Sequence, residues 1–146
     1  MKPAMVVFLG YSMGSSMSEP DVSDLIGKPF AEFGRGPDAY DCYGVWIEVR
    51  KRLQLPAIDV GSLAISLSEA IAEKIQNSKW MFQKVDREEV GDLVLFRGVA
   101  GMNTHIGAVI AHGVFLHGAA GIGIHRSKLN NPLYRDRIEG IYRYVG

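Results

Sequence analysis

Thr104-His105-Ile106-Gly107-Ala108-Val109-Ile110-Ala111-His112-Gly113-Val114-Phe115-Leu116-His117-Gly118 holds two apolar runs joined by a short connection containing glycine, the pattern of a β-hairpin. The length of that connection decides which face each side chain takes, because successive residues of a strand point to opposite sides. A two-residue loop, His112-Gly113, pairs Ala111 with Val114 and sets His117 opposite Ala108, on the face away from His105. A three-residue loop, Ala111-His112-Gly113, pairs Ile110 with Val114 and sets His117 opposite Gly107, on the face of His105. The two histidines are then diagonal neighbours, roughly 7 Å apart between Cβ positions. The three-residue loop needs a left-handed residue at its last position, and Gly113 stands there. Gly107 leaves an imidazole room to reach across. The expected register therefore joins His105 to His117 and leaves Ile106, Ala108, Ile110 and Leu116 as an apolar face for helices to cover.

Further strands are expected at Trp80–Val85, from Gly91 through Phe96, at Ile122–His125 and at Glu139–Tyr144. Helical patterns come earlier. Asp21–Ile26 fits a short helix capped by Asp21, and Ser66-Leu67-Ser68-Glu69 is a capping box opening a helix that carries Ala70, Ile71 and Ile75. From Asp41 the spacing is clearly helical: Val45, Val49 and Leu53 form one stripe with Cys42 and Trp46 beside it. Arg50, Lys51 and Arg52 gather at its C-terminal end, where the helix dipole favours cations, and Pro56 stops it. Helices first and hairpin-linked strands after predict an α+β domain, an antiparallel sheet packed on the cysteine helix.

A domain over 21–146 preceded by an arm over 1–20 accounts for the chain of 146 residues. Met1–Ser18 has a lysine, a short apolar stretch and small residues, but Pro3 and the brevity of the apolar run argue against a secretion signal. No run is long enough to span a membrane. Sixteen basic side chains balance sixteen acidic ones with no basic block, which gives no footprint for nucleic acid.

Cys42 is the chain's one cysteine, so an internal disulfide is excluded and a free thiol remains. Its place at the start of a helix favours the thiolate, while the charge of Asp41, the expected N-cap, opposes it. His105 can take the thiol proton, and His117 can bond the other nitrogen of that ring and fix its tautomer. This is nucleophile, base and orienter, with an imidazole in place of aspartate. His112 is expected at the exposed hairpin tip, and His125 receives no role. No close pair of metal ligands accompanies the histidines, so neither a metal nor a cofactor is expected.

Gly27-Lys28-Pro29-Phe30, Gly34-Arg35-Gly36-Pro37-Asp38, Asp41-Cys42-Tyr43-Gly44, Gly91-Asp92-Leu93-Val94-Leu95-Phe96, Thr104-His105-Ile106-Gly107 and Phe115-Leu116-His117-Gly118 follow one another in an order that resembles the NlpC-type cell-wall cysteine peptidases. The likeness runs from about Asp21 to Tyr144. It implies a papain-like α+β fold and cleavage of peptide stems in peptidoglycan, commonly at a D-γ-glutamyl–diaminopimelate bond. Cys42 would be nucleophile, His105 base and His117 the polar third member, with Phe30, Asp41 and Tyr43 as candidate substrate contacts. Phe30 stands where the family has tyrosine, and Tyr43 where serine follows the nucleophile. The Gly-Arg-Gly-Pro-Asp segment and the Gly140-Ile141-Tyr142-Arg143 ending resemble a branch found with bacteriophage tails and gene-transfer particles, which implies tail proteins as partners. Two other functions are compatible with these residues: an inactive tail-assembly component, and an amidase or acyltransferase on a non-wall substrate.

Overall fold

The computed structural model describes residues 18–59, 82–97 and 105–146. Within them lie one α-helix, α1 (Cys42–Arg52), and six strands: β1 (Phe82–Val85), β2 (Leu93–Phe96), β3 (Ile106–Ala111), β4 (Val114–Ala119), β5 (Gly123–Lys128) and β6 (Ile138–Tyr144). All form one sheet in the order β1-β6-β2-β3-β4-β5, each neighbouring pair antiparallel. The expected helix near Ser66 and residues 1–17 of the expected N-terminal arm lie outside the described residues.

The sheet is apolar on both faces. On one side Val45, Trp46 and Val49 of α1 pack on Ile106, Ala108, Ile110, Leu116 and Ile124, all nearly without exposed surface. On the other, Val94, Phe96, Val109 and Phe115 are covered by Leu129, Tyr134, Ile138 and Ile141. Alternation along β3 thus assigns Ile106, Ala108 and Ile110 to the helix side, as their spacing predicts. The indole of Trp46 also donates to the carbonyl of Gly91 at 3.0 Å, pinning α1 to the start of β2.

The β3–β4 hairpin combines features of both loop readings. Ala111 pairs with Val114 across His112-Gly113, and a register shift between Val109 and Ala111 then sets Val109 opposite Phe115 and Ala108 opposite Leu116. Continued along the strands, that register faces Gly107 with His117. Gly113 has φ +75°, the left-handed conformation the turn requires.

Asp21–Ile26 is not a helix. Leu25 N–H bonds Val22 and Lys28 N–H bonds Leu25, successive tight turns that end at Gly27 with φ +94°. Six residues are too few to nucleate a helix without strong packing, and Asp21 instead binds the amide and hydroxyl of Ser23.

Helix α1 ends before Pro56 acts. Gln54 takes φ +58°, its N–H bonds the carbonyl of Lys51, and Leu55 N–H bonds that of Arg50 at 2.9 Å, which together make a Schellman motif. A side chain in this conformation is strained, and Gln54 is exposed. Gln54→Gly is therefore expected to stabilise the fold by about 0.5–1 kcal/mol. A melting temperature that stays level or falls would show that the strain is not relieved.

Candidate active site

Cys42 opens α1. Asp41 before it is extended and accepts the Gly44 N–H at 2.6 Å, an N-cap of the expected kind. The same oxygen of Asp41 accepts from Arg35 at 2.7 Å, and Arg35 continues to both carboxylate oxygens of Asp59. Gly34 adds a further tie: its carbonyl accepts the Asp41 N–H at 3.0 Å and lies so close over Gly44 that any Cβ there would collide with it. The Gly-Arg-Gly segment is thus a clamp that holds the first turn of α1.

Two candidate substrate contacts are employed otherwise. Tyr43 is 1 % exposed, its ring against Trp46 and its hydroxyl donating to the carbonyl of Ile58, which leaves no surface for a substrate. Asp41 is buried as cap and partner of Arg35. Phe30 differs. It is half-buried, bridges to Tyr40, and lies over Gly118 beside His117, where an added Cβ would be 3.6 Å from its ring.

The histidines meet. His105 Nε2 and His117 Nδ1 are 2.9 Å apart. Gly107 makes this possible, since a Cβ on it would come within 2.7 Å of the Phe115 ring and 3.4 Å of the His117 Cβ. Phe96, Phe115 and Tyr134 enclose the pair, with ring centroids 4.8 Å from His105 to Phe96 and 4.5 Å from His117 to Phe115. Cys42 sits at the same end of β3, close enough that the backbone N–H of Ile106, the residue that follows His105, favours its thiolate.

Two further side chains join the histidines that the sequence pattern does not single out. His117 Nε2 lies 2.9 Å from Ser127 Oγ on β5, so the contacts run from His105 through His117 to Ser127. His125, opposite His117 in the sheet, has its ring centroid 4.3 Å away and donates through Nδ1 to the carbonyl of Gly123. His112 is exposed at the hairpin tip beside Glu88. Among the described residues no grouping of His, Cys, Asp and Glu is able to hold a metal ion, and no helix is long and apolar enough to cross a membrane.

Burial sets the protonation states. It pushes the Cys42 thiol from 9.0 up to about 11, with a smaller push from Asp41, while the N–H groups of Ile106, Tyr43 and Cys42 itself favour the thiolate. That rise is about 3 kcal/mol against the charged form, more than the roughly 1 kcal/mol a helix terminus supplies. Burial also pulls His105 down to about 4, helped by Arg137 and His125, and His117 down to about 3, helped by His105 and His125. At neutral pH the site holds a neutral thiol beside neutral imidazoles. Alkylation of Cys42 by iodoacetamide is therefore expected to keep rising through pH 9 toward an inflection at about 11. A plateau already reached near neutrality would mean that the resting site carries an ion pair instead.

The sequence profile of the NlpC/P60 family matches residues 11–143. No curated protein matches the chain. Among solved structures, an NlpC/P60 family protein from Bacillus cereus superposes with a TM-score of 0.57 at 24 % identity, over 88 % of this chain and 41 % of that one. A protein from Staphylococcus aureus described as similar to lipoprotein, of the NLP/P60 family, gives 0.54 at 20 % identity over 90 % and 44 %. The NlpC/P60 domain of the peptidoglycan hydrolase SagA gives 0.53 at 22 %, over 82 % of this chain and 89 % of that domain. The chain thus spans less than half the length of the first two and most of the third. With the profile covering nearly all its length and the helix-on-sheet architecture shared, the chain belongs to the NlpC/P60 family and has its papain-like α+β fold.

Proposed function

We propose that the protein is a cysteine peptidase that hydrolyses the peptide stems of peptidoglycan, with Cys42 as nucleophile, His105 as base and His117 as orienter. The observation that carries this is the 2.9 Å contact between His105 Nε2 and His117 Nδ1 at the end of β3 where the thiol lies. Membership of a family that generally consists of cysteine hydrolases, and the likeness to the SagA domain, support the substrate class.

The contact supports one division of roles among the atoms. Nε2 of His105 is engaged by His117, so Nδ1 is the ring nitrogen left to act on the thiol. The Cys42 S–H proton moves to Nδ1 as sulfur forms a bond to the scissile carbonyl carbon, because the thiol is not ionised beforehand. Nδ1–H then protonates the leaving amine as the C–N bond breaks, and the acyl group remains on sulfur. Water, deprotonated by the same nitrogen, releases the acid and restores the thiol. The backbone N–H groups of Cys42 and Tyr43, at the open end of α1, are suited to stabilise developing negative charge.

The bond proposed is the D-γ-glutamyl–diaminopimelate link. The setting proposed is a phage tail or gene-transfer particle, on the resemblance of Gly34–Asp38 and Gly140–Arg143. Purified protein incubated with diaminopimelate-type peptidoglycan is expected to release fragments whose masses correspond to cuts after D-glutamate. Muropeptides of unchanged mass would overturn the peptidase reading, and cuts at another position would overturn the bond.

A further inference from the structure

The geometry points to Ser127 as a positioning residue that keeps His105 ready to act as a base, a role that rests on the peptidase reading above. Ser127 lies on β5 opposite Phe115, two residues along from the His117–His125 pair, and so on the face that carries the histidines. Its Oγ is 2.9 Å from His117 Nε2, and His117 is only 2 % exposed, so no bulk water competes for that nitrogen.

A neutral imidazole has one N–H and one bare nitrogen. For His105 to accept the thiol proton, Nδ1 must be bare and Nε2 must carry the hydrogen. His105 Nε2–H then donates to His117, whose Nδ1 must be bare and whose Nε2 must carry the hydrogen. That Nε2–H needs an acceptor in a buried place, and Ser127 Oγ is the one in reach. The chain of bonds can also run the other way. Ser127 then donates to Nε2 of His117, Nδ1–H of His117 donates to His105, and His105 holds its hydrogen on Nδ1, the atom that should be empty.

Removing the hydroxyl takes the acceptor from the productive direction. It strands a buried N–H on His117, which is relieved by moving the hydrogen to Nδ1 and so closing His105 to the thiol. Ser127 thereby acts through His117 without touching the reacting atoms. When His105 becomes an imidazolium during attack, its charge strengthens Nε2–H···Nδ1 and, through His117, the bond to Ser127.

The test follows tautomer and turnover separately. In protein labelled with ¹⁵N-histidine, two-bond ¹H–¹⁵N correlations should show His117 protonated at Nε2. Ser127→Ala should move His117 toward protonation at Nδ1 and lower kcat on a stem peptide about five- to tenfold, the weight of one neutral hydrogen bond, with KM nearly unchanged. Ser127→Thr, which keeps the hydroxyl, should restore both, and Ser127→Val, of the same shape without it, should not. The Thr and Val pair decides the matter if the alanine variant folds poorly. His117 found at Nδ1–H in the unsubstituted protein, or Thr and Val variants that behave alike, would overturn the assignment. Absence of hydrolysis by the unsubstituted protein would instead remove the peptidase reading, while the spectra would still report on Ser127.

Discussion

Cys42→Ala is expected to abolish peptide hydrolysis and thiol labelling together while leaving the fold in place. The size of the effect follows from chemistry: no other cysteine exists to substitute, and loss of a nucleophile costs on the order of 10⁴-fold or more. Structure adds that the loss should be confined to chemistry. The cap at Asp41, the clamp of Arg35 and the anchor of Trp46 hold α1 without using the sulfur. Stability should change by about 1 kcal/mol or less. Hydrolysis that survives in the alanine variant, once contaminating enzymes are excluded by a second purification, would sink the nucleophile assignment. His105→Ala should fall by roughly 10²–10⁴-fold in the same assay, since in the proposed mechanism proton transfer both from sulfur and to the leaving amine passes through it.

The largest effect on stability is expected at Asp92, far from any chemistry. Its side chain is 1 % exposed and receives two bonds from Arg143 of β6, at 3.0 and 2.8 Å, and one from the Glu89 N–H at 2.8 Å. Arg143 also reaches the carbonyl of Arg87, so one carboxylate ties the turn before β2 to β6. Asp92→Ala takes both carboxylate bonds from the guanidinium, which keeps only the Arg87 carbonyl and the more distant Glu89, and removes the acceptor of the Glu89 N–H. Breaking such a pair costs about 3–5 kcal/mol, and the partial exposure of Arg143 argues for the lower figure, about 3 kcal/mol. At this length that is a fall of roughly 10 °C in melting temperature. Urea titration of the single variants and of Asp92→Ala with Arg143→Ala measures the coupling. If the double variant is no better than the sum of the singles, the two groups act independently.

Which parts of this were legible in the residues has a physical answer. The hairpin was, because only glycine readily takes the left-handed place at Gly113 and because strand periodicity leaves two choices of face. The stripe of α1 was, because burial of Val45, Trp46 and Val49 enforces helical spacing. Ser127 was not, because β5 runs three residues beyond the expected end at His125, and a lone serine among Arg126 and Lys128 looks like solvent-facing polarity. Arg50 also escaped. Its place among basic residues suggests a solvated cation at the helix end, yet it is 5 % exposed, donates to the carbonyl of Pro56 and lies 5.5 Å over Trp46. Tyr43 misled for the opposite reason: adjacency to Cys42 says nothing of direction, and helix geometry turns its ring into the core. The sign of the thiol shift was hidden too, since burial is a tertiary property and it outweighs the helix terminus.

Gly107 carries a consequence for how this sequence can change over time. Its missing side chain is what lets His117 approach His105, and the first atom a Cβ would strike belongs to Phe115, a residue of the apolar cluster on the same face as the histidines. Gain of a side chain at 107 is tolerable only after position 115 has become smaller, and a smaller residue there removes a ring that holds His117 in place. The two substitutions are barred in either order, each for a different reason. Drift in the core behind the histidines and drift in the reactive geometry are therefore not separate histories: a lineage that relaxes one must already have released the other.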